Sequence, residues 1–222
     1  MTTTDTAALL HAVLADPAED TVRLVYADAL EEQGEGDRAE FIRVQVEYAA
    51  WERRTGSKYI AGPEVRRVSE LLKFHRADWF AVGDMRPWSN GTNDVVWITG
   101  GVSTAFLYLG GDVSRGFVSH LTCTTADFLQ HAASIFASQP VTGVVLRDKE
   151  PEYVGRDPGF PCWRWWSSSQ YHEQQEETIP PVLYDRCSGW HPTREEAIAD
   201  LSDSCVAWGR SLVGLPPLKG RT

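Results

Sequence analysis

The sequence contains few cysteines and few basic residues, and both shortages argue against particular kinds of protein. Its 222 residues include only four cysteines, none of them in a CxxC spacing. Such scattered cysteines are more typical of thiols than of a disulfide framework. Lysine and arginine together number 21 against 31 acidic residues, which gives a net charge of -10. Nucleic acids and anionic lipids require a basic face, so we expect neither nucleic acid nor a membrane among the partners.

Long apolar segments are also missing. No stretch approaches the roughly 20 apolar residues of a transmembrane helix. The first residues, MTTTDTAALLHAVLADP, have neither the basic start nor the cleavage pattern of a secretory signal. We therefore expect a cytoplasmic protein. With 42% apolar and 23% charged residues, the chain has the composition of a globular protein that forms one large domain or two small ones.

The signatures of several enzyme classes are absent as well. The sequence has no HExxH motif, no EF-hand loop and no GxSxG elbow. We therefore expect no metal and no cofactor. A catalytic Cys–His pair could combine Cys162 with His172 or Cys187 with His191, although neither pair belongs to a known signature. A zinc site would need all four distant cysteines, whereas structural zinc sites usually use closely spaced pairs.

The N-terminal third has the apolar periodicity of helices. This spacing predicts a first helix over residues 5–15, which ends before Pro17 because the residue that precedes proline avoids the helical region. Asp20 or Thr21 can cap a second helix. Asp37, three residues before Glu40, is typical of a capping box at the start of a third helix, and a fourth is predicted over residues 63–80.

The segment DPAEDTVRLVYADALEEQGEGDRAEFIRVQ, residues 16–45, resembles the repeat-companion domain of bacteria, a short helical module often found with leucine-rich repeats. The matching residues are Asp16, Pro17, Asp20, Arg23, Leu24, Tyr26, Ala27, Asp28, Leu30, Glu31, Glu32, Gly34, Glu40, Phe41, Ile42, Arg43 and Gln45. The chain departs from the family pattern at three positions. Proline is usual in place of Val22, tryptophan in place of Ala29 and glycine in place of Ala39. The resemblance implies an accessory or interaction module in a bacterial protein.

Four charged residues of this segment allow two interpretations. In the first, Arg23, Asp28, Glu40 and Arg43 form ion pairs and caps that fix the angle between the helices. In the second, Asp28 and Glu40 are paired carboxylates that carry out acid–base chemistry or bind a metal. Acid–base catalysis needs a group of perturbed pKa in a cleft, and the sequence indicates no cleft. We therefore prefer the structural interpretation.

The middle of the chain has the pattern of strands and one helix. Residues 83–94 have the composition of a loop, and strands are predicted over 95–99, 105–109 and 117–123. We expect the Gly100-Gly101 and Gly110-Gly111 pairs to form hairpin turns. Thr124 can cap a helix that ends at Pro140, and a strand over 141–147 then completes a βαβ unit with parallel strands.

The piece from RGFVSHLTC to VTGVVLRD resembles the segment that leads into the repeats of companion-domain proteins. The L-x-x-L-x-L pattern of such repeats does not follow it. The role that a concave repeat surface would imply is therefore not expected for this chain.

The C-terminal third is rich in tryptophan and ends in a clear helix. Trp163, Trp165 and Trp166 could form an exposed platform for a sugar or a peptide, or could pack into a core, which is the commoner place for tryptophan. Thr193 and Glu196 have the spacing of a capping box. Cys205 then lies on the apolar stripe of the final helix, where a buried thiol is inert.

Together these patterns predict an α+β fold. A helical module, residues 1–82, should pack on a mixed sheet region, residues 83–222, with one βαβ unit and a closing C-terminal helix. We expect a non-enzymatic protein-interaction or accessory module whose partner is another protein. Two alternatives remain: a small Cys–His hydrolase or transferase, and a carbohydrate or peptide binder that uses the tryptophans.

Overall fold

A computed structural model describes residues 3–56, 63–82, 86–88, 95–98, 109–147, 152–153, 163–164 and 193–219. Its helices are α1 (Thr3–Ala15), α2 (Asp20–Glu32), α3 (Gly36–Thr55), α4 (Pro63–Trp79), α5 (Thr125–Phe136) and α6 (Arg194–Leu212). Its strands are β1 (Arg86–Trp88), β2 (Val95–Ile98), β3 (Leu109–Ser114), β4 (Phe117–Cys123), β5 (Gly143–Leu146), β6 (Glu152–Tyr153) and β7 (Trp163–Arg164). The predicted α+β class is confirmed. None of the helices in these ranges is long and apolar enough to cross a membrane.

The main sheet has the order β1-β2-β3-β4-β5. Strands β1 to β4 pair antiparallel, and β4 pairs parallel with β5 through α5, with Leu121 opposite Val144. The predicted βαβ unit is therefore confirmed. The outer edge of β5 is covered in part by α6, because the Ser202 hydroxyl accepts a hydrogen bond of 2.9 Å from the Val144 amide. Strands β6 and β7 form a separate antiparallel pair.

Two clusters of buried side chains form the core. The smaller joins α1, α2 and α3, for example through Val13, Leu30 and Ile42, and includes Phe117 of β4. The larger lies between the main sheet and α3, α4, α5 and α6. It draws side chains from both sides of residue 82, so the N-terminal helices pack directly on the sheet region. The proposed division at residues 82 and 83 stays a prediction.

Some local predictions were right and others were wrong. The side chain of Thr124 accepts from the Asp127 amide at the start of α5, and that of Thr193 accepts from the Glu196 amide at the start of α6, so both predicted caps are confirmed. Helix α2 is instead capped by Glu19, which accepts from the Thr21 amide. Helix α3 begins at Gly36, so Asp37 lies in its first turn and is not its cap.

The glycine prediction was wrong at one of its two positions. Gly110 and Gly111 lie within β3 and pair with both β2 and β4. The β3–β4 turn is formed by Arg115 and Gly116, both with positive φ, of 52° and 85°. Gly100-Gly101 and residues 105–108 lie outside the described residues. The predicted loop over 83–94 also contains β1, an outer strand of the sheet.

Candidate functional site: the outer surface of the N-terminal helices

The outer face of α2 combines exposed apolar and acidic side chains. Leu24 and Val25 are 38% and 43% exposed. Asp28 and Glu31 follow Leu24 by four and seven residues and share its side of the helix, since α-helical side chains align at this spacing. The side that faces the core carries the buried residues, among them Ala29 and Leu30. The apolar pair is therefore not needed to close the core beneath α2.

Arg43 of α3 bridges two carboxylates of this face. Its Nη2 atom donates to Asp28 Oδ1 and to Glu31 Oε2, both at 2.6 Å. These hydrogen bonds, first to Asp28 and then to Glu31, raise the pKa of Arg43. Exposed ion pairs add little stability, typically less than about 1 kcal/mol. The bridge therefore acts mainly to hold α2 and α3 in one relative position.

Glu40, which the sequence placed with Arg43, pairs instead with Arg67 of α4. Arg67 donates from Nε to Glu40 Oε1 at 2.9 Å and from Nη2 to Oε2 at 2.6 Å. The hydrogen bonds from Arg67 lower the pKa of Glu40, and the same bonds raise that of Arg67. These two hydrogen bonds join α3 to α4, just as the hydrogen bonds of Arg43 join α3 to α2. Asp28 and Glu40 thus bind different arginines, one on α3 and one on α4.

Asp37 extends the α3–α4 contact. Its carboxylate contacts Arg67 Nη2 at 3.2 Å and His75 Nε2 at 2.8 Å. The imidazole of His75 stacks on Trp79, with the ring centroids 4.7 Å apart and the planes inclined by 12°. The carboxylate and the stacked indole hold the imidazole in place. The role of Asp37 is to connect helices rather than to cap one.

Arg23 is buried rather than placed on the surface with the other three charged residues. Only 3% of the residue is exposed. It donates from Nη2 to the carbonyl of Pro17 at 2.8 Å and from Nη1 to that of Arg115 at 3.2 Å. Its guanidinium lies over the ring of Phe117, 5.2 Å from the centroid. Arg23 thus joins α2 to the β3–β4 turn.

Sequence reasoning missed a second buried arginine, Arg38. Its guanidinium lies 5.0 to 5.6 Å from the centroids of four aromatic rings, which belong to Phe41, Trp79, Phe80 and Phe117. Burial lowers the pKa of Arg38 to about 10. Cation–π attraction compensates in part for the lost hydration. A signal was present in the sequence, because Arg38 precedes Phe41 by three residues and this spacing places both on the same side of α3.

The residues proposed for catalysis and for aromatic binding are largely outside the described part of the chain. Cys162, Cys187, His172 and His191 lie there, as do Trp165 and Trp166. Trp163 is in β7, where its backbone pairs with Tyr153.

The described cysteines do not offer an accessible nucleophile. Cys123 and Cys205 carry thiols that are buried in the larger core cluster. A buried thiol in apolar surroundings is inert, as expected for Cys205 from its position on the helix stripe. Within the described ranges, no group of three or more His, Cys, Asp and Glu side chains could hold a metal ion.

Comparison with known protein families, with curated proteins and with solved structures gave no match.

Proposed function

We propose that the N-terminal helices form a non-enzymatic docking module for another protein, as the resemblance to the repeat-companion domain implies. The observation that carries the proposal is the outer face of α2. Leu24 and Val25 are exposed there although the opposite face of the same helix is buried. Exposed apolar side chains with a polar rim are typical of protein–protein contacts.

The charges on α2 favour a basic partner. Its four acidic residues are Asp20, Asp28, Glu31 and Glu32, and its single basic residue, Arg23, is buried. Arg43 pairs with Asp28 and Glu31, and Asp20 is already paired with Arg53 and Arg115, so the negative charge left for a partner lies in the C-terminal half of α2. We therefore propose a partner segment with apolar side chains for Leu24 and Val25 and with lysine or arginine beside them. Such complementarity speeds association and excludes acidic partners.

Hydrogen bonds connect the helix that carries this face to its neighbours. Arg43 connects α2 to α3, and Arg67 connects α3 to α4. Arg210 of α6 donates to the carbonyls of Leu14 and Ala15 at the end of α1, at 3.0 and 2.9 Å. A surface fixed before binding loses less conformational entropy in the complex.

The test uses a fluorescent amphipathic peptide of leucine and lysine, with fluorescence anisotropy as the measure of binding to the whole protein. We expect binding that weakens with added salt, because part of the attraction is between exposed charges. The double variant L24S/V25S should bind about thirtyfold more weakly, since each change removes roughly 1 kcal/mol of apolar contact.

The matched control is Leu212→Ser on α6, because Leu212 is 46% exposed and lies on a different helix. L212S should bind the peptide like the unaltered protein. Circular dichroism confirms that each variant is folded. The proposal is wrong if L212S and L24S/V25S weaken binding equally, or if a leucine–glutamate peptide binds as well as the leucine–lysine peptide.

A further inference from the structure

A cavity lies where the end of α1 meets the segment that follows α6. Its volume is about 180 Å³. Its walls include Ala15, Asp16, Pro17 and Ala18 from the end of α1 and the α1–α2 connection, and Leu218 and Lys219 from the C-terminal segment. The apolar pair of α2, Leu24 and Val25, does not line this cavity. The cavity is therefore a second feature, separate from the outer face of α2.

The size and the walls of the cavity suit a small molecule with an apolar part. Ala15, Pro17, Ala18 and Leu218 contribute only hydrocarbon side chains. An apolar cavity of about 150 Å³ holds a molecule of the size of benzene, whereas pockets for drug-sized ligands begin at about 300 Å³. The volume therefore accommodates one aliphatic side chain and is too small for a nucleotide or an oligosaccharide.

One charge of each sign stands beside these apolar walls. Lys219 Nζ donates a hydrogen bond to Asp16 Oδ2. The side chain of Asp16 is 30% exposed and that of Lys219 is 84% exposed, so the pair lies on the solvent side of the cavity. The hydrogen bond between them lowers the pKa of Asp16 and raises the pKa of Lys219. Both groups are therefore charged near neutral pH.

The Asp16–Lys219 pair can open without a rearrangement of the backbone. An exposed ion pair contributes little to stability, so its exchange for other ionic contacts costs little. The C-terminal segment is attached independently of this pair, because Leu215 is buried and Arg210 Nε donates to the Pro216 carbonyl at 2.7 Å. Opening the pair therefore requires only that one exposed lysine side chain move.

We propose that this cavity binds an α-amino acid with an aliphatic side chain, for which leucine is the probe. The α-ammonium group binds Asp16, the α-carboxylate binds Lys219, and the side chain lies against the apolar walls. A ligand that carries both charges replaces one ion pair by two. A ligand with a single charge leaves either Asp16 or Lys219 without a partner, so the pair of charges favours a zwitterion.

The experiment is isothermal titration of the whole protein with L-leucine, for which we expect saturable binding. Glycine should bind at least about tenfold more weakly, because it has no side chain to place in the cavity. L-Leucinamide, which lacks the carboxylate, should bind about fivefold more weakly than leucine. These two ligands test separately the apolar walls and the contact with Lys219.

Variants of the two charged residues test their roles. D16N and K219Q should each bind leucine about fivefold more weakly. The matched controls are D28N and K73Q, since Asp28 is also an exposed aspartate in an ion pair and Lys73 is exposed on α4. Both controls should bind leucine like the unaltered protein. Circular dichroism checks the folding of each variant.

This site and the docking face can fail separately, because L24S/V25S should bind leucine like the unaltered protein. The proposal is overturned if leucine shows no saturable binding or if glycine binds as well as leucine. It is also overturned if D16N binds leucine like D28N, or if K219Q binds leucine more tightly, which would make Lys219 a competitor of the ligand. Any of these results would leave the cavity to water alone.

Discussion

Gly116 sits where the β3–β4 turn meets α3, and replacing it by alanine tests how the N-terminal helices are attached to the sheet. Its φ of +85° is in the region that glycine adopts most easily. An added Cβ would lie 2.6 Å from Cγ1 of Ile42 and 3.0 Å from its Cα. The Cα belongs to the backbone of α3 and cannot move alone. The helix or the turn must therefore shift.

The expected loss of stability has two parts. Placing alanine at positive φ costs about 1 kcal/mol. Overpacking a core contact typically costs about 1 to 3 kcal/mol more. We therefore expect G116A to lower the free energy of unfolding by about 2 to 4 kcal/mol, which a domain of ordinary stability survives in the folded state.

Urea denaturation, followed by circular dichroism, measures this change through the midpoint at constant slope. Gly34→Ala is the matched control, because Gly34 has a φ of +88° and a Cβ there meets nothing within 4 Å. G34A should cost only the conformational part, about 1 kcal/mol. Equal losses in G116A and G34A would refute the close contact between the turn and α3.

Two further predictions concern arginines of α3 and α4 and their partners. Arg38→Ala should lower the free energy of unfolding by about 3 kcal/mol in urea denaturation, because it leaves a cavity between four rings. Arg38→Met fills the space and should lower the free energy of unfolding by only about 1 kcal/mol. Equal losses in R38A and R38M would show that packing is not the main contribution of Arg38 to stability. Hydrogen bonds from Arg67 lower the pKa of Glu40 below its ordinary value of 4.5. The ionised carboxylate therefore contributes its full stabilisation above the pKa that it has in the unfolded chain. This contribution is lost as the pH falls through the lower pKa that it has in the folded protein. E40Q should therefore flatten the acid side of a plot of unfolding free energy against pH, and an unchanged acid side would contradict the pairing.

The sequence predicted those features that depend on neighbouring residues. The side chains that begin α5 and α6 bind amides three residues further along, so Thr124 and Thr193 were recognised as caps from spacing alone. Strand β4 has the predicted bounds, 117–123. The α-helical periodicity located α1 and α4 to within two residues at each end.

The predictions that were wrong concern features that depend on contacts between residues distant in the sequence. Aspartate is a common helix cap, which is why Asp20 and Asp37 were predicted to cap helices. Their carboxylates instead accept hydrogen bonds from Arg53 and Arg67, which lie 33 and 30 residues away in the sequence. The local sequence cannot show whether an aspartate will bind a nearby backbone amide or an arginine that is distant in the sequence. The turn at Arg115 was missed for a related reason: arginine seldom adopts positive φ, and this one does so while its guanidinium contacts the α1–α2 connection.

The Asp16-Pro17 pair acquires a physical role from these contacts. Proline has no amide hydrogen to continue α1, and the last carbonyls of a helix lack partners within it. Arg210 donates to Leu14 and Ala15, while Arg23 and Arg115 donate to the carbonyl of Pro17. The end of α1 is thus where α2, the β3–β4 turn and α6 are joined.

The same contacts assign different tasks to the two faces of α2. The inner face supplies Arg23, which attaches the helix to the sheet region through Pro17 and Arg115. The outer face supplies Leu24 and Val25, which the core leaves exposed. A change on the inner face should therefore lower both stability and binding, whereas a change on the outer face should lower binding alone. Binding that disappears only when stability is also lost would place the docking surface elsewhere on the protein.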